Sequence, residues 1–234
     1  MRRQTVLVTS LLLISNSHAA AAPGSDDLSL IIDETGSTAG TPVIDVAVTT
    51  SIELCYAGRF EREAGVTVTT TSGDELPRFH SASISKLFTA VVIMQLGDEG
   101  RLALSDRVGQ YVPAFDGHEI RLEHLLTHTS GLRDRKRANG RASREEVDAY
   151  FEALAKQRLS DSPGARWRYS DAGFNLLGRD IENVTGKSFA DVMSDRLLQP
   201  LGMNDSSFDI RQIPVDHRIA GFDKRGRQLA HPWD

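Results

Sequence analysis

The sequence predicts an α+β fold, a helical lobe attached to part of an antiparallel sheet. Three observations predict it. β-Prone runs crowd the first third of the chain, at residues 43–50, 52–57 and 66–71. From residue 84 onward, apolar residues recur at helical spacing instead. The chain's 234 residues suit one such domain, and 40% hydrophobic with 25% charged residues read as globular.

The N-terminus precedes that domain. Arg2 and Arg3 stand before an apolar run over residues 5–15, and small residues follow at 17–22. A charged start, a short apolar stretch and alanines at cleavage spacing predict a secretory signal over residues 1–21. The apolar run is too short to span a bilayer, and no cysteine lies beside it to take a lipid, so no stable membrane anchor is expected. Export to the periplasm or medium follows. Residues 22–41, rich in Gly, Ser, Asp and Thr, read as a linker with a short strand near residues 28–32. The domain then runs over 42–234. Net charge is −5, and losing Arg2 and Arg3 makes it about −7, so nothing suggests nucleic acid as a partner. The lone Cys55 has no internal partner and reads as a small residue in a strand.

Within the domain the helices have legible ends. Ile84, Leu87, Phe88, Val91, Val92, Met94 and Leu96 surround a helix that Gly97 and Gly100 terminate, and so wide an apolar surface predicts burial on nearly all sides. Residues 102–113 read as an irregular connection, and 122–127 as one or two helical turns closed by Ser130 and Gly131. Ser143 and Glu146 form a capping box ahead of Val147, Tyr150, Phe151 and Leu154. Phe174, Leu177, Ile181 and Val184 share a helical face with Gly186 just beyond it. Ser188 with Asp191 opens a last helix that Pro200 stops, and residues 223–229 read as a hairpin or loose turn.

Chemistry gathers at the mouth of the first helix. Ser83 and Lys86 are three apart, which places both on one helical face. A serine hydroxyl needs a base to become a nucleophile. A lysine in apolar surroundings loses pKa by desolvation and can be that base. The helix N-terminus adds backbone N–H groups that favour an oxyanion. The plain alternative is that Ser81 or Ser83 caps the helix while Lys86 is solvated.

Other stretches raise the chemical reading. FHSASISKLFTA, LALSDRVGQYVPAF, IRLEHLLTHTSGL, SPGARWRYSDAGFNLLG and LLQPLGMNDSSF occur in that order. With them the chain resembles the serine β-lactamase and penicillin-binding-protein superfamily, in particular its class C-like branch of β-lactamases, D-alanyl-D-alanine carboxypeptidases and esterases. The resemblance covers about residues 42–222 and implies a β-lactamase/transpeptidase-like fold. It implies that Ser83 is the nucleophile, Lys86 its activating partner, and Tyr169 the first residue of a Y-x-N motif sharing proton transfer with the lysine. The third position of that motif is Asp171, assigned to substrate binding, where the motif itself has Asn. An ionised carboxylate only accepts hydrogen bonds. Aspartate there would hold Lys86 protonated and repel a substrate carboxylate, or would cap the helix beginning near Ala172.

The implied activity is that of an exported serine hydrolase forming an acyl-enzyme on an amide or ester: a D-Ala peptide of peptidoglycan type, a β-lactam or a small ester. Its partner would be a small molecule or peptide, with no cofactor and no metal. One element is missing. The resemblance implies a third motif, K-T-G or H-x-G, and neither occurs after Gly202. With it go a cation for a substrate carboxylate and a second oxyanion donor, whose loss costs about 3–4 kcal/mol in the barrier. The alternative is therefore a catalytically impaired N-terminal fragment, either non-functional or pairing with a separate C-terminal half.

Two decoys remain. His124 and His128, four apart, have the spacing of a metal pair, against a plain reading of packed, hydrogen-bonded rings. Arg133, Arg135, Lys136, Arg137, Arg141 and Arg144 form a basic run, read as a solvated face or as contact with anionic cell-envelope polymer.

Overall fold

A computed structural model describes residues 43–49, 54–61, 78–135 and 143–218. The chain divides into two units, residues 1–77 with 219–232, and residues 78–218 with the final two residues. The expected signal segment, linker, strands at 28–32 and 66–71, and turn at 223–229 lie outside the described residues.

In the first unit, β1 (Val43–Thr49) and β2 (Leu54–Glu61) pair antiparallel, with Ile44 opposite Phe60 and Val46 opposite Gly58. The register slips between Val48 and Thr49. Such an irregularity bends a strand locally.

The second unit is helical. Its elements are α1 (Ser85–Asp98), α2 (Leu122–Leu126), α3 (Arg144–Ala155), α4 (Asp171–Thr185) and α5 (Phe189–Met193), with short 3-10 turns between them. A π-turn over Ser194–Leu198 continues α5. No β-strand occurs among this unit's described residues; only isolated bridges join Arg78 to Arg218 and Arg107 to Arg121. This corrects the α+β expectation. The unit carrying the candidate site is all-helical, and no antiparallel sheet accompanies its helices among the described residues. The reason is in the pattern: after residue 84, apolar residues follow a period near 3.6, while the β-prone runs stay within residues 43–71.

Capping explains the helix ends. Ser143 Oγ accepts from the Glu146 N–H, and the Glu146 carboxylate accepts from the Ser143 N–H at 2.7 Å. Gly186 closes α4 at φ 72°, a left-handed value that glycine adopts without a Cβ penalty. Ser188 caps α5 through the Asp191 N–H. α4 is the hub, packing against α1, α2 and α5 and burying Ala172, Leu176, Leu177 and Ile181.

α1 departs from expectation. Thr89, Val92, Ile93 and Leu96 are buried against the unit. Ile84, Leu87, Val91 and Met94, along the opposite flank, are 40–67% exposed. The residues are apolar all round, as the sequence indicates, yet the unit covers only one side of them.

Candidate active site

The site begins where the chain enters α1. A 3-10 turn over Ala82–Ile84 precedes the helix, and Ala82 takes φ 45°. Neither Ser81 nor Ser83 caps: no side-chain cap bond forms at either helix start. The Ser83 hydroxyl is thus left for other partners. Lys86 folds back one turn and its Nζ donates to Ser83 Oγ at 3.2 Å.

The other half comes from the segment entering α4. The Tyr169 hydroxyl shares a hydrogen bond of 2.7 Å with Ser83 Oγ. Asp171 Oδ1 accepts from Lys86 Nζ at 2.6 Å. Lys86 also lies over the Tyr169 ring, 5.0 Å from its centroid. All four expected site residues therefore meet across 86 positions of sequence separation. Asp171 does not cap α4. Ser170 does, its Oγ accepting from the Gly173 N–H at 3.1 Å, and Asp134 Oδ1 accepts the Ala172 N–H at 2.9 Å. With the cap supplied by these two, the Asp171 carboxylate is directed to the lysine.

The electrostatics reverse one expectation. Burial pulls the Lys86 pKa down, as the apolar setting suggested, but the hydrogen bonds and charges of Asp171 and Tyr169 outweigh it, and the ammonium is held above its ordinary value. Lys86 is the less exposed partner of the pair, its side chain 17% accessible against 60% for Asp171. In this arrangement the lysine is a charged donor to Ser83, not a free base.

The segment bearing Tyr169 is laced to residues 128–131. Ser160 N–H donates to Gly131 O at 2.8 Å, Gly164 N–H to Thr129 O at 2.9 Å, and Arg168 N–H to His128 O at 2.8 Å. His128 goes further: its Nδ1 accepts the Ser170 N–H at 3.2 Å and its ring lies 4.6 Å from the Tyr169 ring. His124 Nδ1 instead accepts the Arg121 N–H at 3.1 Å, closing the first turn of α2. The two histidines thus serve different backbone donors, and no group of three metal-type side chains gathers among the described residues. Sequence reasoning missed His128 and Asp134 as supports of the site. Both act over 36 or more positions, with no local spacing to flag them. Lys136, Arg137 and Arg141 of the basic run lie outside the described residues. No described helix is long and apolar enough to cross a membrane.

Known proteins resemble this chain in sequence and in fold. A β-lactamase family profile matches residues 30–233. Penicillin-binding protein 4 of Amycolatopsis lactamdurans is 34% identical over 157 residues, covering 64% of this chain and 40% of that protein. The D-alanyl-D-alanine-carboxypeptidase/endopeptidase AmpH of Escherichia coli is 31% identical over 138 residues, covering 54% of this chain and 36% of its own. The structure of the octameric penicillin-binding protein homologue from Pyrococcus abyssi superposes with a TM-score of 0.67 at 28% identity, over 88% of this chain and 50% of that one. The matched region amounts to 34–40% of the first curated relatives. That coverage, with no strand among the helical unit's described residues, corrects the expectation of a working acyl-enzyme: the ancestry is that of the serine hydrolases, and the findings favour a catalytically incomplete portion. By the profile match along nearly its whole length, the chain belongs to the β-lactamase family.

Proposed function

We propose that these 234 residues, taken alone, are a catalytically incomplete portion of a serine-hydrolase fold. They hold a nucleophile half-site of Ser83, Lys86 and Tyr169, with Asp171 anchoring the lysine. The observation that carries this reading is the one-sidedness of the site. Every described group around Ser83 comes from the helical unit, and no described strand of that unit stands beside it to donate to an oxyanion. Two features agree. Lys86 is held protonated, which opposes its use as a base. The outer flank of α1, starting one residue from Ser83, presents Ile84, Leu87, Val91 and Met94 to solvent. An apolar stripe of this kind suits cover by further structure, which favours a portion that pairs with more of the fold over one that is inert.

The ligand class addressed by a completed site would be a small molecule or peptide, in keeping with the penicillin and D-alanyl-D-alanine peptides in the relatives' names. The folded chain exposed to a fluorescent penicillin and to a chromogenic ester is expected to show no stoichiometric adduct by intact mass and no burst. A Ser83 adduct or burst that Ser83→Ala removes would overturn the reading. We also infer export, on the pattern of residues 1–21. Expression in a Gram-negative host is expected to yield periplasmic chain that begins near residue 22, read by N-terminal sequencing; full-length chain confined to the cytosol would refute it.

A further inference from the structure

One residue grips three consecutive positions of the segment that delivers the tyrosine. The His128 carbonyl oxygen takes the Arg168 N–H at 2.8 Å, its ring lies against Tyr169 at 4.6 Å and 31°, and its Nδ1 takes the Ser170 N–H at 3.2 Å. The ring is held in turn by Phe174 at 5.1 Å and by the edge of Trp167 at 6.1 Å. His128 reaches this position through φ 57°, an uncommon value for a residue with a Cβ. A side chain that accepts at Nδ1 has its proton on Nε2 and is neutral. Adding a proton to Nδ1 would set two N–H donors face to face.

We propose that His128 is the positioning residue that holds the Tyr169 hydroxyl on Ser83, that it does so only as the neutral Nε2–H imidazole, and that protonating it releases the contact. This deepens the reading above and rests on its grouping of Ser83, Lys86 and Tyr169 into one site. The charged groups around the ring fall on both sides of the balance. Lys86 of α1 disfavours a second cation; Asp171 at the start of α4 and Asp134 in the loop before α3 favour one. Burial, the largest influence, disfavours the cation, and His128 is held below the ordinary histidine value. The contact is therefore intact at neutral pH and opens on the acid side.

The experiment is a pH titration of the full chain by NMR, with no turnover required. It follows the His128 ring nitrogens, the Ser170 amide proton and the cross-peak between the Tyr169 ring and Ser83 Hβ. At neutral pH the nitrogens are expected to report the Nε2–H tautomer. Below the His128 midpoint, itself under 6.5, the Ser170 amide is expected to shift and the Tyr169–Ser83 cross-peak to disappear, all at one midpoint. His128→Asn keeps a short acceptor, tolerates positive φ and has no ring proton to gain; its Ser170 amide is expected to be flat over the same range. In Asp171→Asn the step is expected to persist at lower pH, because a carboxylate that favours the cation is gone. An Nδ1–H tautomer, a Tyr169–Ser83 cross-peak that survives His128 protonation, or the same step in His128→Asn would each overturn the proposal. Core methyl signals unchanged across the step separate it from unfolding. A Ser83 adduct with penicillin would sink the incomplete-site reading and leave this titration standing; a flat titration without an adduct would sink only the role of His128.

Discussion

Gly131→Ala is expected to cost the helical unit more than about 4 kcal/mol, lowering its melting temperature by roughly 10 °C or abolishing a cooperative transition. Two causes add. Gly131 sits at φ 74°, where a Cβ meets the following carbonyl at about 1–2 kcal/mol. A Cβ built there also falls far inside contact distance of the Asp161 carbonyl oxygen. That oxygen belongs to backbone, so no rotamer change relieves the overlap. The strands of chain that must part are those joined by the Ser160 N–H to Gly131 O bond, and the damage passes along the lacing toward Arg168 and Tyr169. Gly117→Ala is the control: φ is 78° but nothing lies within 4 Å of the added carbon, so only the backbone cost applies. Thermal melts by circular dichroism check both. A Gly131→Ala melt that matches Gly117→Ala would show that the close approach to Asp161 carries no weight.

Asp180→Leu is expected to stabilise the chain at neutral pH by roughly 2 kcal/mol or more, a rise of about 4–8 °C. Asp180 lies on the buried face of α4 at 0% exposure, and neither carboxylate oxygen has a hydrogen-bond partner among the described residues. A buried polar group without a partner costs about 1–3 kcal/mol, and more when charged. Leucine has the same branching, favours helix, and puts an apolar side chain where α4 is buried. The pH dependence has a definite sign. Burial raises the Asp180 pKa well above the ordinary 3.8. Between that value and the folded one, the unfolded chain has released its proton while the folded chain keeps it, so stability falls as pH rises through this window. Tyr111 is the ionisable neighbour; burial, the hydrogen bond and charge of Asp106, and the Asp180 charge all push it upward, so it stays neutral throughout. Asp180→Leu and Asp180→Asn are both expected to lack the fall, and only the leucine to gain the full stability. Urea melts from pH 4 to 8 test this. A wild-type profile parallel to that of both variants would mean that Asp180 is ionised in the fold at no cost.

The helix ends were legible because capping is local. Ser143 with Glu146, Gly186, and Ser188 with Asp191 each sit within one turn of what they close. Ser83 and Lys86 were legible for the same reason, three residues apart where a 3-10 turn runs into α1. Tyr169 was not available from spacing, since its partner lies 86 positions away; only the resemblance of the YSD stretch assigned it. Asp171 shows how a local rule fails: it stands one residue past the cap, and its carboxylate turns to Lys86 because Ser170 and Asp134 already serve the first N–H groups of α4. Spacing relates His128 only to its i−4 neighbour, whereas its contacts lie some 40 positions downstream. α1 is less buried than its residues imply, because an apolar surface reports what a helix can hide, not what stands next to it. The β-prone runs at 43–50 and 52–57 do pair as β1 and β2, but they fall in the first unit, and after residue 84 the apolar residues keep helical spacing with no strand among the second unit's described residues.

The uncovered flank of α1 bears on the nucleophile itself. Ser83 and Lys86 ride on a beam supported along one edge, by Val92, Ile93 and Leu96, with its outer edge in water. The 2.7 Å grip of Tyr169 and the 2.6 Å grip of Asp171 then act as guy-lines as much as chemistry, tying the start of the helix to the segment that enters α4.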